Sequence, residues 1–413
     1  MKILWLSHLI PYPPKGGVLQ RSYNMVRELS RYHEVDLLAF NQVNLIQPLF
    51  ESLEAGVAEA DSVLKGICRR HQFFDVPVDS HKAQKYWVAL LGVFGRPYNL
   101  RWLESDAYAA AVKEWTSQTQ YDIVHFDTIS LLPYLDSMVR PAATVLDHHN
   151  IESHMLLRRA ENEPSWLKRM YYGREGRLVE AFEKRYCPQF SLNITCSDID
   201  TERLREISPQ SKVMTIPNGV DLGYFVPQGL EKQPQKLVFV GTLNWYPNIE
   251  AVLYIAKELW PRLKQKFPDI CIDIIGANPP AEIKEIAKAD KSFRVLGFVD
   301  DIRPYIESAA VYLCPIRDGG GTKLKVLDAM ALGAPMVAHP IACEGIAVAD
   351  REDVLFAEST DDFIARVSEL LESETLRKHL STNARAVIEK NYGYEAIGKQ
   401  LSSAYERCVG GVN

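Results

Sequence analysis

The chain has 413 residues, 47% of them hydrophobic, which is enough for two full-sized cores, and ordinary domain sizes make two domains the default. A net charge of −6 argues against general nucleic-acid binding. Seven scattered cysteines with no C-x-x-C pair fit a reduced cytosolic protein and supply no zinc framework.

Ile3-Leu4-Trp5-Leu6-Ser7 opens the chain as a continuous apolar run of the kind buried on both faces of a parallel sheet. It turns polar too early for a signal peptide, and the longest apolar run, Tyr86 to Phe94, is too short to cross a bilayer. A cytoplasmic protein is expected, with room for peripheral contact at the inner face of the membrane. Pro11-Tyr12-Pro13-Pro14-Lys15-Gly16-Gly17 follows, then a helical stripe of Val18, Met25, Val26 and Leu29. The glycine pair suits either a backbone that approaches a phosphate or sugar, or a plain proline-glycine turn.

Strand-like runs recur at 34–40, 73–78, 122–126, 143–147 and 192–196, and this alternation with helical stretches indicates a mostly parallel, doubly wound sheet. Ligands of such sheets sit outside the carboxyl ends of the strands, where His125 and His148-His149 fall. Each histidine serves either local hydrogen bonding or a ligand, and His149 stands first among them. Two segments mix aromatic and basic residues: Lys82 to Trp102, and Trp166 to Tyr186 with Lys168, Arg169, Arg174, Arg177, Lys184 and Arg185. They suit an anionic membrane surface or a lipid-linked substrate, or are ordinary helices with a solvated basic face. Glu175, Glu180 and Glu183 dilute the charge of the second.

A composition break at Ile216-Pro217-Asn218-Gly219-Val220-Asp221, with the proline- and glutamine-containing stretch 227–235 after it, marks the linker. The second half restarts with a buried strand, Lys236 to Gly241, and with Asn248 as the cap of a helix carrying Val252, Ile255, Leu259 and Trp260. Strands follow at 270–275, 293–296, 310–314, 335–338 and 354–356, and helical patterns over 361–389 and 394–408 close the chain. The 310–314 run leads into Asp318-Gly319-Gly320-Gly321-Thr322-Lys323 and a helix with Leu324, Leu327 and Ala331 on one face. Glycines there allow close approach to the backbone, and the free N–H groups of a first helical turn attract an anion.

The two βαβ halves, Gly16-Gly17, Asn218 to Asp221, Val240-Gly241-Thr242-Leu243 and the stretch Pro315 to Ala338 together resemble the retaining glycosyltransferases of family 4. The likeness runs over essentially the whole chain. It implies an α/β protein of GT-B fold, two Rossmann-like doubly wound domains facing across a cleft. Residues 1–214 would form the acceptor side, with helix 394–413 packing back on them, and 215–393 would bind the donor. The implied reaction moves a sugar from a nucleotide-diphosphate donor to a glycan or lipid-linked acceptor, as in bacterial polysaccharide or glycoconjugate synthesis. It needs no metal and no cofactor beyond the nucleotide sugar. A non-catalytic sugar-nucleotide-binding protein, or an epimerase or phosphorylase of the same fold, is the alternative.

In the family's pattern Asp328 accepts the ribose hydroxyls, since a carboxylate can accept from both at once. Gly16 and Gly17 face the diphosphate or the sugar, and His149 sits beside the donor sugar. By their place at strand ends His125, His148 and Asn150 are candidate sugar or acceptor contacts, and so is Glu344-Gly345 after the 335–338 strand, where a plain turn is the alternative. Three positions depart from the pattern: Gly320 replaces an acid, and Thr242 and Pro247 replace the arginine and lysine that hold the diphosphate. Around Gly241, Gly320, Gly321, Thr322 and Leu324, the remaining cations are Arg317, Lys323 and Lys325. Lys325 lies three residues from Asp328 and shares its helix face, so it is the expected diphosphate cation and, with His149, the expected catalytic pair. The bland alternative is a Lys325–Asp328 surface ion pair.

Overall fold

The structure, a computed structural model, describes residues 1–15, 17–77, 97–139, 143–319 and 321–410. The chain separates into two compact units, Met1–Pro217 together with the chain from Glu395 on, and Asn218–Tyr394.

The first unit holds seven parallel strands, β1 (Lys2–Ser7), β2 (Glu34–Asn41), β3 (Arg70–Asp75), β4 (Ile123–Asp127), β5 (Ala143–His148), β6 (Leu192–Thr195) and β7 (Val213–Thr215). Their order is β3-β2-β1-β4-β5-β6-β7. β1, β4 and β5 are almost wholly buried because helices cover both faces of the sheet, which is why they read as unbroken apolar runs. The order reverses between β1 and β4, where Ser7 pairs with Asp127, and a crevice opens at the carboxyl ends of such strands.

β3 begins three residues before the run read at 73–78. Its polar start is stabilised across the sheet, where Arg70 meets Asp36 on β2 at 2.8 Å. β7 was missed because three half-buried residues show no period. The closing helix, Tyr394–Gly410, packs Ile397, Leu401, Ala404 and Tyr405 against Ile3, Trp5, Met25, Val26 and Leu29.

The second unit holds β8 (Gln233–Val240), β9 (Cys271–Ile275), β10 (Phe293–Gly297), β11 (Ala309–Cys314), β12 (Met336–Ala338) and β13 (Leu355–Phe356), all parallel, in the order β10-β9-β8-β11-β12-β13. Each unit is therefore a doubly wound, Rossmann-like sheet, and here the order reverses between β8 and β11. The stretch read as linker does not hang free. The Glu307 carboxylate accepts the backbone N–H groups of Gln228, Gly229 and Leu230 at 2.7–3.0 Å, pinning them to this unit before β8 begins.

Candidate functional site

In the second unit the turn after β11 needs φ of +99° at Gly319 and +64° at Gly321, a region that side chains with a Cβ avoid. Lys323 closes this turn. Its ammonium donates to the carbonyls of Gly319 at 2.7 Å and Gly321 at 3.1 Å and lies 3.9 Å from Glu344. Arg317 is also committed, stacking on the Tyr254 ring at 4.0 Å and donating to the Glu358 carbonyl at 2.9 Å. Both of these cations, expected as alternatives to Lys325, are engaged within the unit.

Lys325 is placed differently. It lies in the first turn of the helix Leu324–Ala331, and its ammonium donates to the Asn248 side chain. It also lies against Gly241 at the end of β8, where a Cβ would come within 2.7 Å of it. Gly241 thus makes room for the lysine. Asn248 is not the cap expected from its position but the third residue of the helix Tyr246–Tyr254, and its Nδ2 donates to the Thr242 carbonyl at 2.8 Å. That bond leaves Oδ1 to the lysine, so Lys325 is held by Asn248 and does not form the simple surface pair with Asp328. Burial lowers the lysine to about 8, so it still carries its charge at neutral pH.

Asp328, on the same helix, is 5% exposed, and Thr322 and Leu324 are buried beside it. Gly345 turns the chain with a φ of +79° one residue after Glu344. Trp245 went unnoticed in the sequence: it is 44% exposed and lies, with Pro247, against Gly319. Its neighbour Tyr246 donates its hydroxyl to Asp318 at 3.1 Å. The only local signal was the aromatic pair after β8, because the residues it meets are some seventy positions away.

In the first unit, the buried Asp127 at the end of β4 accepts from the Ser22 hydroxyl at 2.7 Å and the Ser7 hydroxyl at 3.1 Å, and its other oxygen is 2.6 Å from His149 Nε2. Burial would raise this carboxyl, but His149 and His8 hold it well below the usual carboxylate range. Burial would lower His149, but Asp127 outweighs it and leaves the imidazole above its ordinary value. Beside it, Glu152 is pushed up to about 7 by burial, with Asn99 3.2 Å away and Asn150 also bonding to it.

His125 and His148, expected as possible sugar or acceptor contacts, are buried and bonded within the unit. His125 is fully buried, stacked on Trp5 with ring centroids 3.6 Å apart and bonded to the Tyr405 hydroxyl at 2.6 Å. His148 is buried against Asn193 at 3.1 Å. Burial depresses both, His125 to about 4. Gly17 begins the first helix, Gly17–Ser30; Gly16, Gly320 and most of Lys82 to Trp102 lie outside the described residues.

No ligand cluster for a metal was evident in the sequence; in the structure His8, Asp127 and His149 bring ligand atoms within 4.8 Å of one another, as do His125, Asp127 and Asp147. His8, Asp127 and His149 come from the ends of β1, β4 and β5, a proximity that strand pairing creates.

Comparison with known proteins joins these observations. The model of the family described as Glycosyltransferase Family 4 matches residues 15–224, and that described as Glycosyl transferases group 1 matches residues 234–373. The phosphatidyl-myo-inositol mannosyltransferase of Mycolicibacterium smegmatis is 28% identical over 209 residues, 48% of this chain, and the match spans only about half of that protein, 53%. An uncharacterised 44.6 kDa protein of the cps region of Klebsiella pneumoniae is 21% identical over 96% of this chain and 97% of its own length. Among solved structures, sucrose-phosphate synthase from Thermosynechococcus elongatus superimposes with a TM-score of 0.71 at 14% identity, covering 100% of both chains. Anabaena HepE, in complex with UDP and glucose, does so with a TM-score of 0.66 at 15% identity over 98% of this chain and 99% of its own. These neighbours share the GT-B fold.

Proposed function

The chain belongs to glycosyltransferase family 4, and from that premise we propose that it transfers a sugar from a nucleotide-diphosphate donor to a glycan or lipid-linked acceptor with retention of configuration. One observation carries the reading. The family's diphosphate cations are replaced here by Thr242 and Pro247, and Lys325 reaches the end of β8 beside Gly241 from another helix, which supports its taking that role.

As the glycosidic bond breaks, negative charge gathers on the leaving diphosphate, and a preorganised cation in a partly buried site stabilises it most when the charge is greatest. Lys325 and the first amides of the helix Leu324–Ala331 supply that stabilisation, and Asp328 accepts the ribose hydroxyls. The acceptor hydroxyl attacks from the face the diphosphate leaves, and a diphosphate oxygen takes its proton. In the first unit His149, its ring fixed by Asp127, is the group proposed to donate to a sugar hydroxyl. No metal is required in this scheme: Asp127 is occupied by two hydroxyls and an imidazole, and the lysine bears the charge a cation would bear elsewhere.

Incubating the protein with a panel of nucleotide sugars, UDP-glucose among them, tests the proposal. Slow release of free sugar from one donor, unaffected by a chelator, is the expected result. Stabilising binding with no turnover would instead identify a sugar-nucleotide-binding protein without catalysis.

A further inference from the structure

We infer that the exposed start of the helix Trp166–Tyr186 is a docking surface for an anionic lipid bilayer. Trp166, Leu167 and Met170 are 66%, 60% and 65% exposed, the three most exposed large apolar side chains among the described residues, and Tyr171 is 36% exposed. Such residues scattered singly need no explanation, but four of them on one helix end do.

The helix geometry separates this surface from the packed one. Successive residues turn by about 100°, so Trp166, Leu167, Met170 and Tyr171 fall within an arc of about 140°. The buried residues Glu175, Gly176, Val179 and Glu183 lie on the opposite side. They pack against the helix Glu152–Asn162 so closely that a Cβ on Gly176 would come within 2.8 Å of Leu157. The apolar face therefore points away from the helix pair and is not left over from its packing.

Charge identifies the occupant. Lys168 and Arg169, both exposed, flank the apolar arc on either side, and Arg174 and Arg177 continue it one and two turns further on. Arg169 is steadied by the Glu163 carbonyl at 3.0 Å. Glu161 and Glu163 lie in the preceding turn, outside the arc, and Glu175 is buried behind it. An apolar face with a tryptophan, bordered by cations, matches the boundary between acyl chains and anionic headgroups. No helix among the described residues is long and apolar enough to cross a membrane, so this contact would be peripheral.

Co-sedimentation of the full chain with vesicles of phosphatidylglycerol and phosphatidylcholine, against phosphatidylcholine alone, tests the inference. Binding to the anionic vesicles that weakens with added salt is expected. The exposed positions allow Trp166→Ser, Leu167→Ser and Met170→Ser to be combined without loss of fold, checked by an unchanged melting temperature. That variant should bind at least about tenfold more weakly, since each buried methylene contributes to partitioning, and Lys168→Glu with Arg169→Glu should abolish the preference for the anionic lipid. No binding by the native protein, equal binding by the serine variant, or a native dimer that the serine variant makes monomeric would each overturn the assignment.

Discussion

Replacing Lys325 by methionine should make the protein more stable and less able to bind its donor. The lysine sits at about 8 in the folded chain against an ordinary 10.5, and at about 1.4 kcal/mol per unit this amounts to roughly 3 kcal/mol of strain from burying the charge. Methionine removes that cost but leaves Asn248 Oδ1 without its donor, a loss of about 1 kcal/mol. The net gain is about 2 kcal/mol at pH 7. The sign of its pH dependence follows from a depressed lysine. The penalty is fully present below pH 8 and fades as pH rises toward 10.5, where the folded and unfolded chains both release the proton. Urea unfolding at pH 7 and pH 10 should therefore show the variant's advantage at the lower pH only. Isothermal titration with a nucleoside diphosphate should show affinity falling by tenfold or more in the variant, and falling in the native protein above pH 8. A variant that binds the diphosphate as well as the native protein, or that is destabilised at pH 7, would refute the assignment of Lys325 as a strained, anion-seeking cation.

Asp328→Asn should weaken nucleotide binding by about 1 kcal/mol, because hydrogen bonds to a charged acceptor are roughly twice as strong as neutral ones; a dideoxyribose nucleotide should bind both forms equally in the same titration. Asp127→Asn removes the carboxylate that outweighs burial at His149, so NMR titration of that ring should move from above its ordinary value to below it. Arg21 and Asp147, both 2% exposed, form a two-pronged pair at 2.9 and 3.0 Å, and Arg21 also donates to the carbonyls of Ile216 and Pro217. Arg21→Met should cost about 3–5 kcal/mol in denaturant unfolding by stranding a buried carboxylate, and adding Asp147→Leu should recover most of it.

Much of the architecture could be read from residue order. Runs such as Ile3 to Ser7 and Ala310 to Cys314 are apolar at every position because both faces of a parallel sheet are covered, and a pattern of that kind needs no knowledge of partners. β7 was illegible because three residues carry no period, and β3 was misplaced because Arg70 enters a strand only through Asp36 on its neighbour. Among the site residues, the glycines of the β11 turn were visible because a left-handed backbone demands them. The roles of the nearby cations were not visible. Arg317, Lys323 and Lys325 are alike as residues in a string, and what each of them bonds depends on Tyr254, Gly319 and Asn248, which lie elsewhere in the sequence or the turn.

The same division runs through the first unit. Sequence alone determined that a histidine pair ends β5, since strand period and polarity are local properties. Only the tertiary structure decided that His148 faces the core beside Asn193 while His149 meets Asp127, and that Ser7, His8 and Ser22 gather around the same carboxylate. Residues more than a hundred positions apart meet there because the strand order reverses between β1 and β4. Electrostatic character follows from such neighbours and from burial, neither of which is a property of any one stretch of chain.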